Sequence, residues 1–175
     1  MLTLLSICGF PYETQKQVES GETIADFFLP NESSVFSNPS MVMNVECQTT
    51  LKDRHRLTSG KFTDYPLMRF LATGTGCGLF TKKDIKDFTI EKLKELILSN
   101  NLKLIVFQEV KEDLINRIET EIENVQNNPD KKNRIPLADL KTLQSRSAQQ
   151  ILSFTEFFNN QVKPFLSVWK ANNLC

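Results

Sequence analysis

No glycine occurs between Gly78 and Cys175, although the chain has six in all. A β-rich segment of that length turns through several tight hairpins, and those turns favour glycine because it reaches positive φ without steric cost. The gap therefore predicts a helical second half. Proline is sparse there too, at Pro129, Pro136 and Pro164, so long stretches run without a helix breaker. Histidine occurs once, as His55, and the cysteines Cys8, Cys47, Cys77 and Cys175 form no Cys-x-x-Cys pair. That spacing excludes a clustered zinc site and predicts free thiols in a reducing compartment. Net charge is missing as well, since 21 basic and 21 acidic residues cancel. Residues 1–80 carry −2 and residues 81–175 carry +2. Binding to phosphates through counterion release ordinarily leaves a basic excess, so nucleic acid is not indicated as a partner. Apolar runs stay well short of the roughly 20 residues that span a bilayer. The apolar start, Met1 to Cys8, has no basic residues and soon meets Gly9 and Pro11, unlike a secretory signal. A cytoplasmic protein is expected.

What the chain does contain is helical periodicity. Phe107, Val110, Leu114, Ile118, Ile122 and Val125 recur at three- and four-residue steps. So, for the most part, do Leu137, Leu140, Leu143, Ile151, Phe154, Phe158, Val162, Phe165 and Trp169. This is the spacing of amphipathic helices. The polar segment 127–134 separates the two arms, and Pro136 suits a first helical turn. Pro164 cannot donate to the carbonyl of Asn160, which predicts a kink near Asn159-Asn160. Upstream, Thr89 is placed to cap a helix over Ile90–Ser99, with Leu93, Leu96 and Ile97 on one face and Asn100-Asn101 as its end. The run 102–107 has strand propensity but continues the helical face beyond it, and it is read as helix, with a buried strand as the alternative.

The first third is less regular. Turn clusters lie at Pro30–Ser34 and Ser37–Ser40, and Met41–Cys47 alternates like a strand. The expected fold is mainly α: a helical hairpin or bundle in the C-terminal half, with an irregular or partly β N-terminal third. The alternative is α+β. The expected division is an N-terminal segment, 1–64, packed on a helical domain, 65–175.

Chemistry is harder to find. Gln108-Glu109-Val110-Lys111, after an apolar run, resembles the acidic-x-lysine element of the PD-(D/E)xK nucleases. The resemblance implies a carboxylate that holds a divalent cation and a lysine that stabilises phosphate charge. It needs the strand reading of 102–107 and an upstream aspartate, for which Asp84 or Asp87 would serve. A solvated first helical turn explains the same residues. The glycine cluster 74–78 precedes a capping residue at Thr81 but lacks both the Gly-x-Gly-x-x-Gly and the Gly-Lys-Ser/Thr patterns. Cys77 and His55 have no sequence relation that would pair them. No catalytic residue, metal ligand or cofactor is therefore assigned.

The leading functional expectation is a non-catalytic protein–protein interaction module, an adaptor, regulator or assembly subunit acting through helical faces. Its partner would be another protein or a second copy of the chain. The alternatives are a metal-dependent nuclease or other phosphate-acting enzyme using Glu109 and Lys111, and a structural homo-oligomer. The candidate interaction surface is Phe157 and Gln161 on the second arm, with Lys131, Lys132 and Arg134 at the tip. Phe157 lies about 100° round the helix from Phe158, so both cannot face one neighbour. Phe157 is either an exposed anchor or packed beneath the N-terminal third.

Overall fold

Six strands lie in a single sheet in the order of the sequence. The computed structural model describes residues 5–6, 9–14, 26–31, 33–48, 68–74, 88–128 and 135–174. The strands are β1 (Glu13–Thr14), β2 (Phe27–Leu29), β3 (Met43–Gln48), β4 (Met68–Thr73), β5 (Lys103–Val106) and β6 (Ile151–Ser153). β1, β2 and β3 pair antiparallel. β3 to β6 are mutually parallel. The helical elements are α1 (Ser34–Ser37), α2 (Ile90–Lys94), α3 (Gln108–Asn127), α4 (Leu137–Gln150), α5 (Phe154–Glu156) and α6 (Lys163–Ala171). A π-helical turn, Glu95–Ser99, extends α2, and another, Phe157–Val162, joins α5 to α6.

Alternation along the strands divides the apolar residues between two layers. On one face, Leu71, Leu104, Val106 and Ile151 are buried under Leu93, Leu96 and Ile97, under Val110, Leu114 and Ile118 of α3, and under Leu140 and Leu143 of α4. On the other, Met43, Val45, Phe70, Ala72, Ile105 and Leu152 pack against Phe157, Val162 and Trp169. The Trp169 indole Nε1 donates to the Met41 carbonyl at 2.8 Å, which ties α6 to the entry of β3.

The mainly α expectation is thus wrong, and its α+β alternative lies nearer to the mixed, helix-covered sheet. Missing glycine excludes tight hairpins, not strands. Parallel neighbours are joined by long crossovers that carry helices and need no two-residue turn. β3 reaches β4 beside it, β4 reaches β5 by the connection that holds α2, and β5 reaches β6 through α3 and α4. The run 102–107, expected to be helix, is β5. Leu104 and Val106 point to one layer and Ile105 to the other, so the strand is apolar throughout because both faces are covered. The second arm is likewise not one helix. Three fully covered residues, Ile151–Ser153, leave α4 and pair with β5. Their spacing from Leu143 and to Phe154 imitates a helical stripe, which hid the strand. The N-terminal third, expected to be irregular or partly β, supplies β1 to β3, and these belong to the same sheet as the strands in residues 68–153.

Several local expectations hold. The Thr89 side chain accepts from the Lys92 amide and caps α2, and Leu93, Leu96 and Ile97 are buried. Asn101 takes φ 47°, the left-handed conformation that ends the element. Pro136 directly precedes α4, β3 falls on the alternating stretch, and the π-helical turn lies just before Pro164. Among the described residues, no helix is long and apolar enough to cross a membrane.

Candidate active site

The carboxyl ends of the parallel strands form one edge of the sheet, where open α/β sheets commonly bind ligands. Because β2 runs antiparallel to β3, the residue just before β2 lies at the same edge. That residue is Asp26. The register Phe27↔Val45 carries it to the end of β3, beside Glu46 and Cys47. Its Oδ2 accepts from the Cys47 amide at 2.5 Å, a main-chain contact that fixes the carboxylate's direction.

Glu46 stands on β3 opposite Leu71 of β4 and is only 7% exposed. Burial pushes its carboxyl up from 4.5 to about 7, the Asp26 charge adds to the rise, and Arg69 pulls the other way. Desolvation and a like charge both disfavour the anion. Arg69, on β4, is held by a hydrogen bond from Nη2 to the Asn100 carbonyl at 2.6 Å. Two carboxylates thus share a partly closed end of the sheet, and one of them is short of positive charge.

Such a pair fits a hard divalent cation. Carboxylate oxygens suit magnesium or manganese, and a cation beside Glu46 would supply the charge that Asp26 and burial withhold. Among the described residues no group of three or more His, Cys, Asp or Glu is placed to hold a metal. The described residues would contribute two carboxylates to a cation held there, and magnesium commonly completes its shell with water or substrate oxygen.

The neighbouring strands end in a second charged pair. Lys111 Nζ contacts both carboxylate oxygens of Glu156 at 2.6 Å. Glu156 also closes a capping box with Ser153, accepting from its amide while its own amide donates to the Ser153 hydroxyl. Burial opposes ionisation of Glu156, but the bonds from Lys111 and Ser153 outweigh it and hold the carboxyl below its usual range. Lys111 is thereby occupied in joining α3 to α5 after β5 and β6.

The Glu109–Lys111 pair of the alternative nuclease reading is not assembled as a strand motif. β5 ends at Val106, both residues fall in the first turn of α3, and Glu109 is exposed. Its expected aspartates, Asp84 and Asp87, lie outside the described residues, as do His55, Cys77, Lys131, Lys132 and Arg134. Phe157, offered as an exposed anchor or as core, is fully buried. Its ring meets Phe70 edge-on with centroids 5.0 Å apart, and Phe158 at 5.3 Å. The sheet face supplies the neighbour that a helical hairpin alone would not. Gln161 accepts from Lys103 Nζ at 2.8 Å.

Asp26 and Glu46 were not singled out from the sequence. The available signals were an aspartate directly before the apolar triplet Phe27-Phe28-Leu29 and a glutamate inside an alternating strand. Neither is distinctive until the β2–β3 register brings them together.

No protein-family model and no curated protein sequence matches the chain. Solved structures do. Restriction endonuclease PspGI, in a complex with its substrate DNA, superposes with a TM-score of 0.63 at 18% identity, over 95% of this chain and 58% of that one. Metal-depleted Ecl18kI, in complex with uncleaved DNA, superposes with a TM-score of 0.57 at 16% identity, over 96% of this chain and 43% of that one. The chain thus spans about half the length of each. At such identity the likeness is one of fold, and it replaces the helical module on which the adaptor, regulator and assembly readings rested: this chain has a fold similar to that of two restriction endonucleases.

Proposed function

We propose that the chain is the core of a divalent-cation-dependent deoxyribonuclease, with Asp26 and Glu46 as its cation ligands. The observation that carries this reading is the pairing of these two carboxylates at the carboxyl edge of a sheet similar to that of restriction endonucleases solved with DNA. DNA takes the place of the expected protein or self partner. The neutral net charge argued against nucleic acid only as a whole-chain sum, and a bound divalent cation is itself a charge at the site.

A divalent cation held there would polarise a phosphodiester and lower the pKa of a bound water. The chain's own residues do the rest. The Cys47 amide orients Asp26. Glu46, whose carboxyl burial and the Asp26 charge push up to about 7, would give up its proton on taking the ligand role. Arg69 keeps that release within reach by favouring the anion. Glu109 has no part in this site, and Lys111 acts through Glu156 as a structural tie. The exposed Cys47 thiol would stay reduced in the cytoplasm, which is where we place the enzyme.

Incubation of the full chain with supercoiled and linear duplex DNA, with magnesium or manganese, tests this. Cation-dependent cleavage should be lost in Asp26→Asn and Glu46→Gln while both variants remain folded. No cleavage with either cation, or full activity in both variants, would overturn the assignment.

A further inference from the structure

The opposite edge of the sheet, at the amino end of β5, carries a concavity of about 290 Å³. Asn101, Lys103, Arg146, Gln149 and Gln150 line it, so its described lining holds two cations, three amides and no carboxylate. Lys103 Nζ donates to Gln161 and lies 5.5 Å from the centroid of the Phe70 ring. Burial lowers its pKa by disfavouring the charged form. Arg146 is exposed on α4. Among the described residues neither cation has a carboxylate partner. Gln150 is 8% exposed. Its Nε2 donates to the Asn101 Oδ1 at 2.7 Å, holding the left-handed residue's side chain at the rim. Among the described residues its Oε1 is buried without a hydrogen-bond partner.

We infer that this concavity binds the phosphoryl group of a small phosphomonoester. A lysine and an arginine supply the point charge and planar fork that phosphate takes. The amides of Asn101 and Gln149 add neutral donors. A carboxylate in the lining would repel such a ligand, and the described lining has none. Strand direction puts the concavity at the edge away from Asp26 and Glu46, so its ligand is distinct from a phosphodiester lying between those carboxylates. The inference stands whether or not the chain cleaves DNA.

Calorimetric titration of the full chain, in chelator and without divalent cation, tests it with inorganic phosphate, a nucleoside 5′-monophosphate and a short duplex. Phosphate and the nucleotide should bind in the range of about 0.1–1 mM. Arg146→Gln, at an exposed position that leaves the fold intact, should weaken both by roughly tenfold, and Lys103→Gln should do the same. Glu46→Gln should bind both as the wild type does. Binding should also raise the Lys103 pKa, read by NMR of the side-chain nitrogen. No saturable binding of phosphate or nucleotide, equal binding by Arg146→Gln, or a loss confined to the duplex would each overturn it. The last outcome would make the concavity a DNA-backbone contact.

Discussion

Glu46→Gln should stabilise the cation-free protein at the pH where it abolishes cation binding. The folded-state carboxyl sits at about 7 against an ordinary 4.5. A raised acid pKa means that the folded chain holds a proton the unfolded chain has lost. The associated stability is fully present below about pH 4.5 and disappears as pH rises to about 7. Each pH unit of displacement corresponds to about 1.4 kcal/mol, so the whole effect is on the order of 3 kcal/mol. Glutamine keeps the neutral shape without titrating. The variant should therefore match the wild type at pH 4–5 and exceed it by roughly 2–3 kcal/mol at pH 8. With a slope of about 2 kcal/mol per molar urea, the midpoints should separate by about 1–1.5 M. The assay is urea unfolding of both proteins in chelator at intervals from pH 4.5 to 8.5. Comparison within each pH cancels the titration of other groups. Magnesium should then raise the wild-type midpoint, because a ligand of the folded state stabilises it, and leave the variant unmoved. A gap between the proteins that stays constant across the range would refute the argument, since it would mean that Glu46 ionises at its ordinary pKa.

Phe157→Ala should cost about 3–5 kcal/mol by urea unfolding, because the ring is fully buried against Phe70; a loss under about 1 kcal/mol would return Phe157 to the surface. Glu156→Ala should cost about 1–2 kcal/mol through the lost capping box and the stranding of Lys111, visible as an earlier thermal midpoint; an unchanged midpoint would show that the cap is idle. Glu109→Ala should leave cation-dependent cleavage unaltered and stability within about 0.5 kcal/mol, since the side chain is exposed; loss of cleavage would restore the acidic-x-lysine reading of α3.

The sequence showed helices where one face meets a sheet, and α2 and α3 were legible from Thr89, Leu93, Val110, Leu114 and Ile118. It hid strands wherever a short apolar run was covered on both sides. Leu104, Ile105 and Val106 carry no alternation, because both faces are dry, and Ile151–Ser153 fall in step with the helix before them. The carboxylate pair was illegible for a different reason. Asp26 and Glu46 are twenty residues apart in the chain, and only cross-strand register makes them neighbours. Whole-chain charge is a similarly coarse guide, because it averages over the local field that a site presents.

Among the described residues the outermost strands of the sheet are short, two residues in β1 and three in β6. An edge strand offers its unpaired amides and carbonyls as a template to any extended segment nearby, and the hazard grows with the length of that edge. Here each described border is only roughly 7–10 Å of backbone, and the β6 border passes at both ends straight into helix. A second chain arriving in extended form would find too few rungs to extend the ladder. Colloidal behaviour therefore rests on side chains rather than on backbone pairing, and concentrated samples should resist fibril growth seeded through these borders.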